Sequence, residues 1–242
     1  MTATVRGGSG AADPALHPLD SPAWASLTGP HASFAVGAGL ARRYPADVSP
    51  FAAVTTPADP RSWLDLRDLY AEGEVAVLSG PAGFTAGAPG GWEPDGVVAG
   101  VQLVATDALL TEPADDALVV GAADAAEAMD LVLRTEPGPF RSRTYALGTY
   151  LGLRRDGRLV ALAGERLHPS GWTEISAVCT DPAYRRQGLA SHLVRGIAAG
   201  IRARGETPFL HTGAANTRAV DLYLAMGFEL RREIEFAALR AI

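Results

Sequence analysis

The sequence predicts an α/β fold, because segments typical of strands and helices alternate along most of its 242 residues. The clearest pair begins at residues 174–180, which are apolar and rich in β-branched side chains, as strands prefer. The helix that follows it repeats apolar residues every four positions, at Leu189, Leu193, Ile197 and Ile201.

The first half of the chain is also predicted to mix helices and strands. Helices are expected over residues 21–27 and 59–71, because each begins with a capping residue and proline and is followed by glycine. Strands are expected over residues 74–79 and 97–106. The intervening residues 81–95 are rich in glycine and proline and are predicted to form a loop.

In the second half, a strand is predicted over residues 117–121 and a helix over residues 123–134. Residues 148–155 and 158–167 are then expected to pair as a hairpin, because Asp-Gly lies between them, a dipeptide typical of tight two-residue turns.

Three more elements are predicted to complete the chain. Residues 208–212 are expected to form a strand after the long helix ends at Gly205. Asn216 is predicted to cap a helix that runs to Met226, and residues 228–239 are expected to form a last strand or hairpin.

The domain organisation is predicted from changes in composition. Residues 1–14 are small, polar and rich in glycine, and are expected to be a flexible tail. An N-terminal α/β domain is expected over residues 15–110. Residues 111–116 contain proline and three acidic residues, which predicts a linker to a second domain at residues 117–242.

The turn after residues 174–180 has the properties of an anion site. Asp181-Pro182 ends the strand, and R-R-Q-G-L-A at residues 185–190 leads into the long helix. The first N–H groups of a helix lack partners within it, and the helix dipole adds partial positive charge there. With small residues and two arginines at the turn, the sequence predicts a phosphate or pyrophosphate site.

Two motifs in this region resemble those of the GNAT acetyltransferases. The first resembles the acyl-CoA signature [Q/R]-x-x-G-x-[G/A], with Arg185, Gly188 and Ala190 at its defined positions. The second is similar to the downstream pattern of this family, and consists of Asn216, then Tyr223, then Gly227-Phe228.

The resemblance covers residues 117–242 and implies a GNAT fold, with a central mixed, mostly antiparallel sheet flanked by helices. Some relatives in the glycine N-acyltransferase-like branch pair such a domain with a degenerate N-terminal copy, and the first half of this chain is compatible with that arrangement. The implied cosubstrate is acetyl-CoA or another acyl-CoA, and the implied reaction is direct attack of an amine on the thioester without a covalent enzyme intermediate.

The resemblance also implies which residues bind the cosubstrate. In this family the central strand splays from its neighbour, and its free backbone groups pair with the pantetheine arm. Here the matching residues are Val178, Cys179 and Thr180, and a backbone N–H among them could stabilise the oxyanion. The pyrophosphate and a further polar contact are expected at Arg185, Arg186, Gln187, Gly188, Leu189, Ala190, Ser191 and Asn216.

Tyr223 is the candidate general acid, because a phenol is protonated at neutral pH and can donate to a leaving thiolate. The alternative is simple core packing, since Tyr223 lies between apolar residues of a helix.

Glu174 is the candidate base, because related enzymes place a glutamate in a similar T/G-E-I stretch. In a regular strand it would share a face with Ser176 and Val178. A solvent-facing salt bridge is the alternative interpretation of Glu174. His211 is the second candidate for the base, because histidine accepts protons near neutral pH, although a lone strand histidine is more often packed.

Other chemistries find little support in the sequence. Cys179 is mid-strand with apolar neighbours and is expected to be a buried thiol rather than a nucleophile. No metal-ligand spacing, basic run or membrane-length apolar segment is present, so metal, nucleic acid and membrane are not expected. A single cysteine cannot form an internal disulfide, which suggests a reducing, cytoplasmic environment, and the protein is expected as a monomer or homodimer.

The sequence therefore predicts an N-acyltransferase that moves an acetyl or other short acyl group to a primary amine. The acceptor is expected to be a small amine or a peptide N-terminus, in a pocket shaped by residues 135–143 and the first half of the chain. The alternative is a module that binds acyl-CoA without catalysis.

Overall fold

The computed structural model describes residues 17–242, so the tail predicted for residues 1–14 lies outside the described residues. The α/β class and the implied sheet are confirmed, because one mixed, mostly antiparallel sheet of eight strands is flanked by helices. Across residues 17–242, no helix combines the length and the apolar character that crossing a membrane would require.

The structure contains five α-helices within the described range: α1 Pro22–Leu27, α2 Pro60–Arg67, α3 Ala125–Thr135, α4 Leu189–Ala203 and α5 Thr217–Met226. The strands are β1 Ala41–Arg43, β2 Ala52–Val54, β3 Val75–Gly80, β4 Trp92–Ala105, β5 Leu118–Val119, β6 Tyr150–Arg155, β7 Arg158–Glu165, β8 Trp172–Thr180, β9 Thr207–Gly213 and β10 Phe228–Ala241. Short 3-10 turns lie at Pro18–Asp20, Ala32–Phe34, Ala122–Asp124, Thr144–Leu147 and Pro182–Tyr184.

The large sheet has the strand order β3-β10-β4-β9-β8-β7-β6-β5, and β1 and β2 form a separate two-stranded sheet. Neighbouring strands of the large sheet are antiparallel except for β8 and β9, which are parallel. Strands on both sides of the expected linker at residues 111–116 therefore belong to one sheet. The division of the chain into two domains, and the origin of the first as a degenerate copy, stay predictions.

Several local signals have the predicted effect. The hairpin between β6 and β7 turns at Asp156 and Gly157, whose φ angles of 51° and 77° are both left-handed, as a two-residue turn of this kind requires. Asn216 begins α5 and accepts a hydrogen bond from the backbone N–H of Ala219, at 3.2 Å. Gly227 ends that helix in a left-handed conformation.

Two predicted boundaries are wrong by four or five residues, and pairing within the sheet explains one of them. The strand expected from residue 97 begins at Trp92, because β4 pairs with β10 as far as Ala241 opposite Trp92. That pairing continues through the glycine and proline residues that suggested a loop. The helix α2 ends at Arg67 rather than at residue 71, and turns follow it.

The strand β8 contains a bulge, which overturns the expectation that Glu174, Ser176 and Val178 share a face. Ser176 pairs with Gly164 and Cys179 pairs with Leu162, so two residues of β8 oppose one residue of β7. Ala177, within this interval, has a φ of 54°. After the bulge Val178 packs with the core beneath α4, whereas Cys179 joins the core beneath α3.

The parallel pairing of β8 and β9 ends early. It runs from Trp172 opposite Thr207 to Ile175 opposite Leu210, although β8 continues to Thr180. The strand β9 keeps pairing with β4 up to Gly213 opposite Gly100, so it follows β4 away from β8. The expected splay of the central strand from its neighbour is confirmed.

Candidate active site

The splay between β8 and β9 opens a cleft of about 1090 Å³. One part of its lining comes from the core beneath α4, including Val178 and Tyr223. Another part comes from the core around the N-terminal helices, including Phe51 and Phe236. The cleft therefore connects the two faces of the sheet between β8 and β9.

The turn before α4 lies on this cleft and has the geometry expected of an anion site. Gly188 is the N-cap of α4, with a φ of 79° that favours glycine, and a Cβ added there would meet no atom within 4 Å. No side chain caps this fifteen-residue helix. Arg185 and Arg186 line the cleft beside the turn and are exposed, so positive charge is available to a phosphate group.

The other residues expected at the phosphates are placed less uniformly. Ala190 and Ser191 line the cleft in the first turn of α4, and Leu189 lines it while packing into the core. Gln187 is exposed and is not part of the lining. Asn216 lines the cleft too, with its side-chain oxygen engaged in capping α5.

The end of β8 lines the cleft and also contains an unsatisfied polar group. Val178, Cys179 and Thr180 all line it, and the Oγ1 atom of Thr180 is buried without a hydrogen-bond partner among the described residues. A buried hydroxyl without a partner is unfavourable in isolation. The three residues lie along the cleft, where an acyl-CoA arm beside β8 would contact them.

Cys179 has the environment of an inert thiol. Its side chain is buried in the core beneath α3, and burial raises the pKa of the thiol to about 11. A thiol that stays protonated at neutral pH is a poor nucleophile.

Tyr223 lies at the cleft on α5 and is 8% exposed. Its ring packs edge-on against Phe228, with centroids 5.9 Å apart, and burial raises its pKa to about 12. Its hydroxyl makes no hydrogen bond to any described residue. Tyr223 therefore packs in the core and also lines the cleft, and its role as the general acid stays a prediction.

Glu174 is fully buried and paired with an arginine, rather than facing solvent. Arg166 donates from Nε to Oε2 at 2.8 Å and from Nη2 to Oε1 at 2.5 Å. Burial alone would raise the pKa of Glu174, but the charge and the two hydrogen bonds of Arg166 lower it to about 2, and the hydrogen bond with His211 acts in the same direction. Glu174 does not line the cleft, whereas Arg166 and His211 do.

His211 is held at both ring nitrogens. Its Nδ1 lies 2.6 Å from Oε1 of Glu174, and its Nε2 lies 2.9 Å from Nε2 of Gln102. The Gln102 amide can only donate from that nitrogen, and its oxygen accepts from Arg231 at 2.7 Å. These partners assign the neutral tautomer of His211 that donates from Nδ1 to Glu174 and accepts at Nε2.

The sequence named Glu174 and His211 as alternative bases rather than as partners, and it did not indicate Arg166 or Gln102. A charged residue that ends an otherwise apolar strand region could have indicated Arg166. Nothing local marks Gln102, because its role depends on β4 lying beside β9. Among residues 17–242, no group of three or more His, Cys, Asp or Glu side chains has an arrangement that could hold a metal ion.

Comparisons with known proteins agree with this geometry. The family model described as FR47-like protein matches residues 150–237. A crystal structure of a GNAT-family protein from Novosphingobium aromaticivorans, whose name describes it as an acetyltransferase, is 37% identical. It matches with a TM-score of 0.84 over 93% of this chain and 99% of that chain.

A GCN5-related N-acetyltransferase from Kribbella flavida is 22% identical, with a TM-score of 0.59 over 90% of this chain and 93% of that chain, and supports the fold. No protein with curated annotation matches the chain. The fold and the splayed sheet thus define an acetyltransferase-type α/β protein. The chain belongs to the GNAT family.

Proposed function

We propose that this protein is an acyl-CoA-dependent N-acyltransferase that transfers an acetyl or other short acyl group directly to a primary amine. The observation that carries the proposal is the cleft between β8 and β9, which connects the anion-binding turn on one side of the sheet to a separate wall on the other. An acyl donor and an amine could meet there without a covalent intermediate on the protein.

The residues of this chain have distinct roles in the proposal. The turn at Arg185 to Ser191 binds the phosphates of the cosubstrate through helix N–H groups and arginine charge. Backbone groups of Val178, Cys179 and Thr180 hold the acyl arm. As the amine nitrogen bonds to the acyl carbon and the carbon–sulfur bond breaks, Tyr223 protonates the departing sulfur.

Neither predicted base, Glu174 or His211, is free to accept the proton of the amine in the observed structure. Glu174 has a pKa of about 2 and both of its oxygens bound, and Nε2 of His211 is bound by Gln102. We therefore propose that water in the cleft accepts this proton and that Glu174 and His211 act as positioning residues. Placement in the glycine N-acyltransferase-like branch rests on the Thr173-Glu174-Ile175 stretch and on a first half compatible with a degenerate copy.

The same observation favours the second candidate, a module that binds acyl-CoA without catalysis. The test follows release of free CoA from acetyl-CoA with a panel of primary amines, alongside calorimetric binding of acetyl-CoA. Amine-dependent release of CoA supports the enzyme. Tight binding without release for any amine would establish the binding module, and absence of binding would refute both.

A further inference from the structure

A group of apolar side chains lines the cleft on the face opposite α4, and we call it the apolar wall. It consists of Phe51, Val77, Val98 and Phe236. Val98 and Phe236 are direct partners across β4 and β10, and Phe51 forms an isolated bridge with Val77 of β3. Except for Phe236, these residues precede residue 111, so the first half of the chain supplies most of this wall.

The apolar wall packs against the buried polar residues of the site. The rings of Phe51 and Phe236 are 6.3 Å apart, and Phe236 is 5.8 Å from the ring of His211. The guanidinium carbon of Arg166 lies 4.8 Å from the centre of the Phe51 ring. The wall therefore adjoins the splay of β8 and β9. An acceptor amine bound at the wall would lie close to an acyl group held along β8.

The charges next to the apolar wall are already compensated. Arg166 is paired through two hydrogen bonds with Glu174, which is 0% exposed, and the His211 side chain is 2% exposed with both nitrogens bound. The carboxylates in the cleft lining, Glu136 and Asp221, belong to the loop after α3 and to α5 rather than to the wall. Neither a second ammonium group nor a substrate carboxylate would find a free counter-charge on the wall.

The wall also exposes apolar surface that a ligand could cover. Val98 is 59% exposed although it is a large apolar side chain in a cleft. Burial of apolar surface favours binding in proportion to the area removed from water. We propose that the apolar wall binds the acceptor, and that the acceptor is a primary amine with an apolar alkyl or arylalkyl tail and no second charge. This inference rests on the proposed acyl transfer and specifies its substrate class.

The test compares four acceptors with acetyl-CoA: phenethylamine and hexylamine as apolar amines, spermidine as a polyamine and glycine as an amino acid. We expect kcat/KM for the apolar amines to exceed that for spermidine and glycine by at least about tenfold, because only they bury their tails against the wall. Equal or higher values for spermidine or glycine would overturn the inference.

Two adjacent valines provide a matched pair of variants. Val98→Asp places a carboxylate on the wall, whereas Val97→Asp makes the same change at a residue that is 55% exposed and does not line the cleft. Val98→Asp should lower kcat/KM for phenethylamine about tenfold or more and raise it for spermidine, with KM for acetyl-CoA unchanged. Val97→Asp should change neither. Identical behaviour of the two variants contradicts the inference.

Binding separates this inference from the proposed function. Calorimetric titration of phenethylamine into protein saturated with CoA measures binding at the apolar wall, because no acyl group is present to react. Binding that Val98→Asp weakens and Val97→Asp leaves intact supports the wall, even if no amine releases CoA and the catalytic proposal fails. If phenethylamine does not bind, or both variants weaken it equally, the wall is not the acceptor site.

Discussion

At the scale of single residues, the buried ion pair of Glu174 and Arg166 should contribute strongly to the stability of the fold. Glu174→Gln leaves the Arg166 guanidinium buried without its counter-charge, and loss of one partner of a buried pair costs about 3–5 kcal/mol. We expect the free energy of unfolding to fall by that amount, measured by urea denaturation. The double variant Glu174→Gln/Arg166→Met should recover most of it. A Glu174→Gln protein as stable as the wild type would contradict this account of the pair.

Tyr223 offers a second residue-scale prediction, on catalysis rather than stability. Tyr223→Phe removes the hydroxyl but keeps the ring contact with Phe228, so kcat should fall about 10²-fold while KM for acetyl-CoA is unchanged. Because burial raises the pKa of Tyr223 to about 12, its ionisation should add no limb to the pH profile of kcat below that value. Steady-state kinetics from pH 6 to pH 10 measure both effects, and an undiminished kcat would remove Tyr223 as the acid.

At the scale of secondary structure elements, substitutions in α4 can test phosphate binding separately from stability. Ala190→Glu puts a carboxylate in the first turn, where the helix dipole favours it but a phosphate of the cosubstrate would be repelled. We expect acetyl-CoA binding to weaken about tenfold or more, with unfolding stability kept. Ala203→Glu, at the exposed last residue of α4, is the matched control and should leave binding intact. Equal binding by both variants would move the phosphate site elsewhere.

The elements also show what the sequence could and could not predict. Caps and turn residues act locally, so Asn216, Asp156-Gly157 and the start of α4 were predicted close to their observed positions. The bulge at Ala177 was not predicted, because it depends on how β8 pairs with β7 and the residues themselves suit a regular strand. It reversed the expected grouping of Glu174 with Val178.

At the scale of the whole molecule, the partners of the site could not be predicted because they come from distant parts of the chain. Gln102 reaches His211 only because β4 lies between β9 and β10, and Arg166 reaches Glu174 across the turn that joins β7 to β8. The salt-bridge alternative for Glu174 identified the right kind of interaction, but placed it in solvent. Side-chain burial of this kind depends on the complete sheet.

Stability against acid is a second property of the whole molecule. Burial, followed by the charges of His31 and Arg204, lowers the pKa of His168 to about 3, and burial also lowers the pKa of His31. In the unfolded chain both histidines bind a proton from about pH 6.5 downward, whereas in the folded chain they stay neutral to lower pH. The free energy of unfolding therefore falls as the pH drops below 6.5. Each group contributes up to about 1.4 kcal/mol per pH unit.

Glu174 extends this loss to lower pH, because its folded pKa of about 2 lies below its ordinary value. Its contribution is present above about pH 4.5 and is lost between there and pH 2. Denaturation in urea from pH 8 to pH 4 should show a constant free energy of unfolding above pH 7 and a decline below 6.5. His168→Gln should flatten the decline, because it removes a buried group that the unfolded chain protonates. A flat profile in the wild type would contradict the buried neutral histidines.

The position of β4 has a consequence for how the chain is made. β3 and β4 both pair with β10, which follows them by more than a hundred residues. Trp92 at the start of β4, for example, pairs with Ala241. During synthesis the N-terminal half leaves the ribosome long before β10 does. The edges of β3 and β4 that pair with β10 therefore stay open during most of synthesis. Pairings this distant in sequence form slowly, and open edges invite other chains. Yield in cells should therefore depend more on chaperones and growth temperature than the stability of the finished fold would suggest.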